Sequence, residues 1–286
     1  MNAEKKEAFI TTNDGVKVAY QCFGSEGPVV VLLHGWSGSR HYYDRNTHEI
    51  GKSCRVYAVD LRFHGSSGRP EWGYHVARLA ADLHDLLQIL DLWDATVVGS
   101  SMGASVIWAY IELFGHQHLG KLVFVDQTPL QNNAEDWRLG SLGCYDAASL
   151  ARLQTTLRLD FGAVARGNLA ACLARPLDAS IQRALCDETR RACPDALSRL
   201  MADHTQLDWR PMLPRIRVPC LNLIGRQSAV FPWQGTEVVG RLVPACRTVV
   251  FENCGHWLYL EQPQTFNKLV AEFAQDGLSS VTFGSV

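Results

Sequence analysis

A serine between two glycines, Gly99-Ser100-Ser101-Met102-Gly103, is the stretch of this chain best suited to chemistry. It follows the apolar Thr96-Val97-Val98 and precedes Ala104-Ser105-Val106-Ile107-Trp108-Ala109-Tyr110, which reads as a helix. A strand, a tight turn and a helix would stand the Ser101 hydroxyl at the C-terminal edge of a parallel sheet. The flanking glycines suit such a turn, because it is strained and neighbouring backbones must pass closely. The amide of Met102 would sit at the helix N-terminus, where it can stabilise a developing oxyanion.

A serine hydroxyl is a weak nucleophile at neutral pH and needs a base, which in turn needs an orienting acid. Among the ten histidines, His256 in Asn253-Cys254-Gly255-His256-Trp257 has the best placement. It follows the last strand pattern and so falls on a loop at the same sheet edge as Ser101. His34, His41, His48, His64, His116, His118 and His204 read as loop supports, turn residues, surface residues or lid residues. For the acid, Asp126 closes the strand Val123-Phe124-Val125. Asp60 reads as a loop-fixing residue instead. A second oxyanion donor is expected from the loop His34-Gly35-Trp36-Ser37-Gly38, through the amide of Trp36. The side chains of Trp36, Ser100, Trp137 and Trp257 are expected to contact substrate, with the Met102 side chain helping to wall the pocket. No metal site is expected.

The elements needed to position these residues are legible. Lys17–Cys22 after the Asn13-Asp14-Gly15 turn signal reads as an opening hairpin. Val29–Leu33 is a continuous apolar run, as a buried parallel strand should be. Arg55–Val59, Thr96–Val98, Leu122–Val125, Leu221–Ile224 and Thr248–Phe251 repeat that type. Helical patterns lie between them at Ala77–Leu92, Ala104–Leu113, Gly235–Leu242 and Pro263–Ala274. The alternation predicts an α/β fold, a mostly parallel doubly wound sheet with helices on both faces. From 130 to 214 the strands stop and helical patterns dominate, for example Ala148–Leu159 and Ala163–Leu173. That stretch is expected to be a helical lid over the C-terminal strand edge. Residues 1–129 and 215–286 then form the core. The aromatics Trp137, Tyr145, Phe161 and Trp209 are expected mainly in the core of that lid.

Composition narrows the function classes. The chain has 286 residues, 47% of them hydrophobic, and a net charge of −2. No basic patch or charge run appears, so neither nucleic acid nor an anionic membrane is an expected partner. A small-molecule substrate is expected, and a homodimer is compatible with the composition. The N-terminal Met1-Asn2-Ala3-Glu4-Lys5-Lys6-Glu7 is charged, without the apolar stretch of a secretory signal. The nine cysteines are scattered, with no C-x-x-C pair. They read as small buried apolar residues in a reducing cytoplasm.

Taken together, His34-Gly35-Trp36, the Asp60-Leu61-Arg62-Phe63-His64-Gly65-Ser66-Ser67 segment, the Ser101 turn, and Gly255-His256 followed by Glu261-Gln262-Pro263 resemble the α/β-hydrolase superfamily. The resemblance covers nearly the whole chain. It implies a serine hydrolase of carboxylic esters, lactones or related acyl compounds that needs no cofactor. In most members the acid follows the strand after the lid, where this chain has Ser228. Asp126 is therefore expected to take that role. The Trp36/Met102 pair is similar to that of esterases and cofactor-free perhydrolases. Cofactor-free dioxygenases of 3-hydroxy-4-quinolones also place their acid before the lid, so that activity is the alternative. They usually carry His beside the nucleophile, where this chain has Ser100 and Met102. A ligand-binding protein without catalysis is the third reading.

Overall fold

The computed structural model describes residues 7–280. The charged N-terminal stretch through Lys6 and the last residues of the expected core, 281–286, lie outside the described residues. Eight strands form one sheet: β1 (Ala8–Thr11), β2 (Lys17–Phe23), β3 (Val29–Leu33), β4 (Arg55–Val59), β5 (Ala95–Ser100), β6 (Leu119–Val125), β7 (Cys220–Gly225) and β8 (Cys246–Phe251). Their order is β1-β2-β4-β3-β5-β6-β7-β8. The β1–β2 hairpin is antiparallel and joins β4 antiparallel, while every pair from β4 to β8 is parallel. This is the mostly parallel sheet expected from the sequence.

Among the described residues ten α-helices accompany the sheet: α1 (Thr47–Ile50), α2 (Val76–Ile89), α3 (Met102–Phe114), α4 (Ala147–Leu159), α5 (Phe161–Cys172), α6 (Ala179–Arg190), α7 (Pro194–His204), α8 (Trp233–Leu242), α9 (Leu258–Glu261) and α10 (Pro263–Asp276). Strands β3 and β5, which lead into the site, are buried along their whole length because helices cover both faces. All five residues of β3 and all six of β5 are buried. Helix α2 buries Val76, Leu79, Ala80, Leu83, Leu86 and Leu87, a stripe at helical spacing. Each such side chain contributes about 1.5–3 kcal/mol by leaving water. The helix ends before the expected Leu92. Asp91 takes a left-handed φ of 49°, and the Leu92 amide turns back to the Leu87 carbonyl at 2.9 Å. At its other end α3 begins two residues earlier than expected, which brings Met102 into its first turn.

Four helices, α4 to α7, lie between β6 and β7. Asp146 caps α4 by accepting from the Ser149 amide at 2.7 Å, and Asp160 caps α5 by accepting from the Ala163 amide at 2.8 Å. Phe161 packs against the small cluster of Leu157, Val164, Ala192 and Leu197. Trp209 instead joins the main core, 6.2 Å from the Trp108 ring. His118, expected at the surface, is buried, with its Nδ1 2.8 Å from the Leu92 carbonyl and its ring against Trp93. No helix among the described residues is long and apolar enough to cross a membrane.

Candidate active site

Parallel register brings the site together. Ser100 at the end of β5 lies opposite Val125 at the end of β6, so Ser101 and Asp126 leave adjacent strands side by side. The Ser101 amide donates to the Val125 carbonyl at 2.9 Å, and the Asp126 amide to the Leu223 carbonyl at 2.8 Å. Ser101 has φ 52° and ψ −124°, a conformation sparsely populated by residues with a side chain. Such strain costs about 1–3 kcal/mol and persists only where the surroundings impose it. Here they do. A Cβ on Gly99 would run into the backbone of Gly103. One on Gly103 would stand 2.6 Å from the Leu33 carbonyl oxygen. One on Gly35 would stand 2.9 Å from Ser101 Cβ. Gly103→Ala is accordingly expected to destabilise the protein by about 1–3 kcal/mol, since rigid backbone must shift to admit the methyl group. Urea unfolding measures this, and wild-type stability would contradict so close a packing of β3 on α3.

Asp126 also has a left-handed backbone, with φ 46°. Its Oδ1 accepts from the Gly225 amide at 3.2 Å. Its Oδ2 lies 2.7 Å from His256 Nδ1, and both side chains are buried. The Nδ1–H donates to the carboxylate, which leaves Nε2 as the imidazole's free acceptor. The loop carrying His256 crosses β7 so tightly that a Cβ on Gly225 would strike the Gly255 carbonyl. Glu261 fastens that loop. Its Oε2 accepts from the Gly255 amide at 2.6 Å, and its Oε1 accepts from the Ala174 amide at 3.0 Å, just beyond α5. The Phe231 ring stands edge-on to His256 at 5.5 Å. Ser228 serves its own loop. Its hydroxyl accepts from the Val230 and Phe231 amides, both at 3.4 Å.

Two buried histidines brace the loop that faces Ser101. His34 Nδ1 donates to the Gly35 carbonyl at 2.7 Å, and its Nε2 accepts from the Leu61 amide at 3.0 Å. His64 Nδ1 donates to the Arg62 carbonyl at 2.8 Å, and its Nε2 accepts from the Ser37 amide at 3.2 Å. Asp60 accepts from the Arg40 amide at 2.7 Å and the Ser66 amide at 2.9 Å, holding the same loops. Burial lowers the pKa of His34 to about 4 and of His64 to about 3. It lowers that of His204, at the end of α7, to about 4. In the unfolded chain each imidazole takes a proton near about 6.5. Below that pH the unfolded state binds more protons, so stability is full above it and falls as pH drops. The expected loss is about 2 kcal/mol per such histidine by about pH 5. Urea midpoints across that range test this, and a flat profile would contradict it.

Ser101 and His256 open into one cavity of about 340 Å³, at the small end of the range for small-molecule sites. Trp36 and Trp257 line it, as the sequence suggests. The Trp36 indole also donates to the Leu197 carbonyl of α7 at 2.9 Å, tying the loop after β3 to the helical insertion. Ser100 and Trp137 are corrections, because neither is in the cavity wall. Ser100 is the last residue of β5 and is buried beneath the turn. The Trp137 indole donates to the Leu130 carbonyl at 2.9 Å, bracing its own loop. The Met102 side chain also turns away and is fully buried in the main core. Sequence reasoning did not single out Gln131, Asn168, Cys172 and Phe231, which line the cavity, nor His204 as part of its wall. Among the described residues, no group of three or more His, Cys, Asp or Glu side chains is arranged to hold a metal ion.

The family model of the alpha/beta hydrolase fold matches residues 28–263. A pimeloyl-[acyl-carrier protein] methyl ester esterase from Vibrio atlanticus is 26% identical over 271 residues, which are 90% of this chain and 98% of the relative. Among solved structures, an esterase from Exiguobacterium antarcticum superposes with a TM-score of 0.89 at 24% identity, covering 94% of this chain and 99% of its own. A bromoperoxidase from Bacillus anthracis superposes with a TM-score of 0.86 at 24% identity, covering 93% and 98%.

Proposed function

Because this chain belongs to the alpha/beta hydrolase fold family, we propose that it is a serine hydrolase of carboxylic esters, lactones or related acyl compounds. The observation that carries this reading is the buried 2.7 Å pair of His256 and Asp126, with His256 and the strained Ser101 opening into one cavity. Ser101 is the nucleophile. His256 accepts its proton at Nε2 as Oγ attacks the substrate carbonyl, and returns it to the departing alkoxide. Asp126 holds the imidazole with Nε2 free and stabilises the imidazolium that forms. The Met102 amide, unpaired within the first turn of α3, and the Trp36 amide stabilise the tetrahedral oxyanion. Water, activated by the same His256, then frees the acid from the acyl-enzyme. No cofactor enters this sequence. The esterase activity named for the Vibrio atlanticus relative supports the reaction class.

Labelling by a fluorophosphonate, together with turnover of a panel of p-nitrophenyl esters, tests the reading. Label on Ser101 and ester turnover are expected. Binding of esters without label or turnover would leave a binding protein. Oxygen-dependent loss of a hydroxyquinolone would point to the dioxygenase chemistry instead.

A further inference from the structure

The cavity lining is largely apolar, with Leu153, Val164, Ala171, Val230 and Phe231 among its residues. The segment after β6 and the end of α7 bring polar groups to it, Gln131, Ser141 and His204. These belong to one packed unit. The Gln131 side-chain amide lies 3.2 Å from the Met201 sulfur, one turn before His204. The Ser141 amide donates to the Gln131 carbonyl at 2.8 Å, and the Asn132 amide to that of Thr205 at 3.0 Å. His204 is only 3% exposed, and its Nδ1 is buried without a hydrogen-bond partner among the described residues. The proposed reaction does not use it. With Nδ1 shut away, Nε2 is the ring nitrogen left to meet the cavity, and a ligand that pairs with it satisfies a polar group that burial has otherwise taken from water. Among the described residues no Lys, Arg, Asp or Glu lines the cavity, so an ionised substrate group would be desolvated there with no counter-charge.

We propose that His204, with Gln131 and Ser141 beside it, is a specificity site that selects uncharged substrates carrying a hydrogen-bonding group, such as a hydroxyl or keto oxygen, remote from the scissile carbonyl. The inference rests on the hydrolase reading above. Its burial keeps His204 neutral at neutral pH, so the ring offers one donor and one acceptor and does not act as a cation. The apolar lining residues accept the aliphatic stem, and His204 with its polar neighbours reads the distal oxygen. A site built to pair with such an oxygen discriminates against the analogue that lacks it, because its own polar groups are then left unpaired.

The test compares kcat/KM for matched esters. One series varies the acyl chain as octanoyl, 7-hydroxyoctanoyl and 7-carboxyheptanoyl methyl esters. The other varies the alcohol in the same way on acetate. In at least one series the wild-type protein is expected to favour the hydroxyl compound over the plain one by about tenfold, the effect of one hydrogen bond of ordinary strength. It is expected to reject the carboxylate. His204→Phe should bring the hydroxyl-to-plain ratio close to one, acting mainly on KM, and His204→Gln should retain part of the preference. The Gln variant keeps the test open if the Phe variant does not fold, which thermal melting reports. Equal turnover of hydroxyl and plain esters by the wild-type protein in both series would overturn the specificity site alone. So would a preference for the carboxylate, or a ratio that survives both substitutions. Turnover of no ester at all would overturn the hydrolase reading, and the site with it.

Discussion

Ser101→Ala is expected to lower kcat for the best ester by about 10⁴- to 10⁶-fold, because the covalent route disappears and only binding and oxyanion stabilisation remain. Fluorophosphonate labelling should vanish with it. Fold stability should stay close to wild type, since Ala carries a Cβ as Ser does and inherits the same φ of 52°. The neighbouring Ser100→Ala is the control. Ser100 is buried behind the turn, beside Tyr43 and Tyr259, and outside the cavity wall. Its loss should change kcat far less. Equal losses in the two variants, measured on correctly folded protein, would remove Ser101 from the nucleophile's role.

Asp126→Asn is expected to lower kcat by up to about 10⁴-fold, with a much smaller effect on thermal stability. The amide retains the shape of the carboxylate, and Asn tolerates the left-handed backbone that Asp126 adopts at φ 46°. What changes is charge and hydrogen-bond sense. An amide presented by its NH2 group favours the wrong imidazole tautomer, and no amide stabilises an imidazolium as a carboxylate does. Ser228→Ala should leave kcat within a few-fold, because the Ser228 hydroxyl is bonded to the Val230 and Phe231 amides of its own loop. Restoring a carboxylate as Ser228→Asp in the Asp126→Asn background is expected to recover part of the activity. Full activity in Asp126→Asn would overturn the assignment of the acid.

Much of the fold and part of the site are legible because their causes are local. The run Val29–Leu33 reads as a buried strand without knowledge of its neighbours, since only a strand covered on both faces is apolar at every position. Gly99 and Gly103 announce a close backbone approach around Ser101. Asp126 stands out at the end of β6, and in the structure the adjoining strands carry it to His256, 130 positions further along the chain. The expectation for Ser100 fails by one residue. Side chains alternate between faces along a strand, and the sharp turn after Ser100 separates adjacent hydroxyls into core and cavity. Trp137 fails differently. An indole in a loop can face a pocket or brace its own turn, and the choice was made by the Leu130 carbonyl within its reach.

The sequence by itself determined the elements, the strained turn at Ser101 and the strand ends from which Asp126 and His256 project. Periodicity, glycine placement and capping act over a few residues, so they are written where they act. The tertiary structure alone decided which faces of α4 to α7 look into the cavity. Helix α4 fully buries only Ser149 and Leu157, so which of its half-buried residues face the cavity is set by its neighbours. Its rotation follows from packing against α5 and α7, between residues far apart in sequence. The same packing turned His204, which the sequence presents as one more lid histidine, into a buried group on the cavity wall.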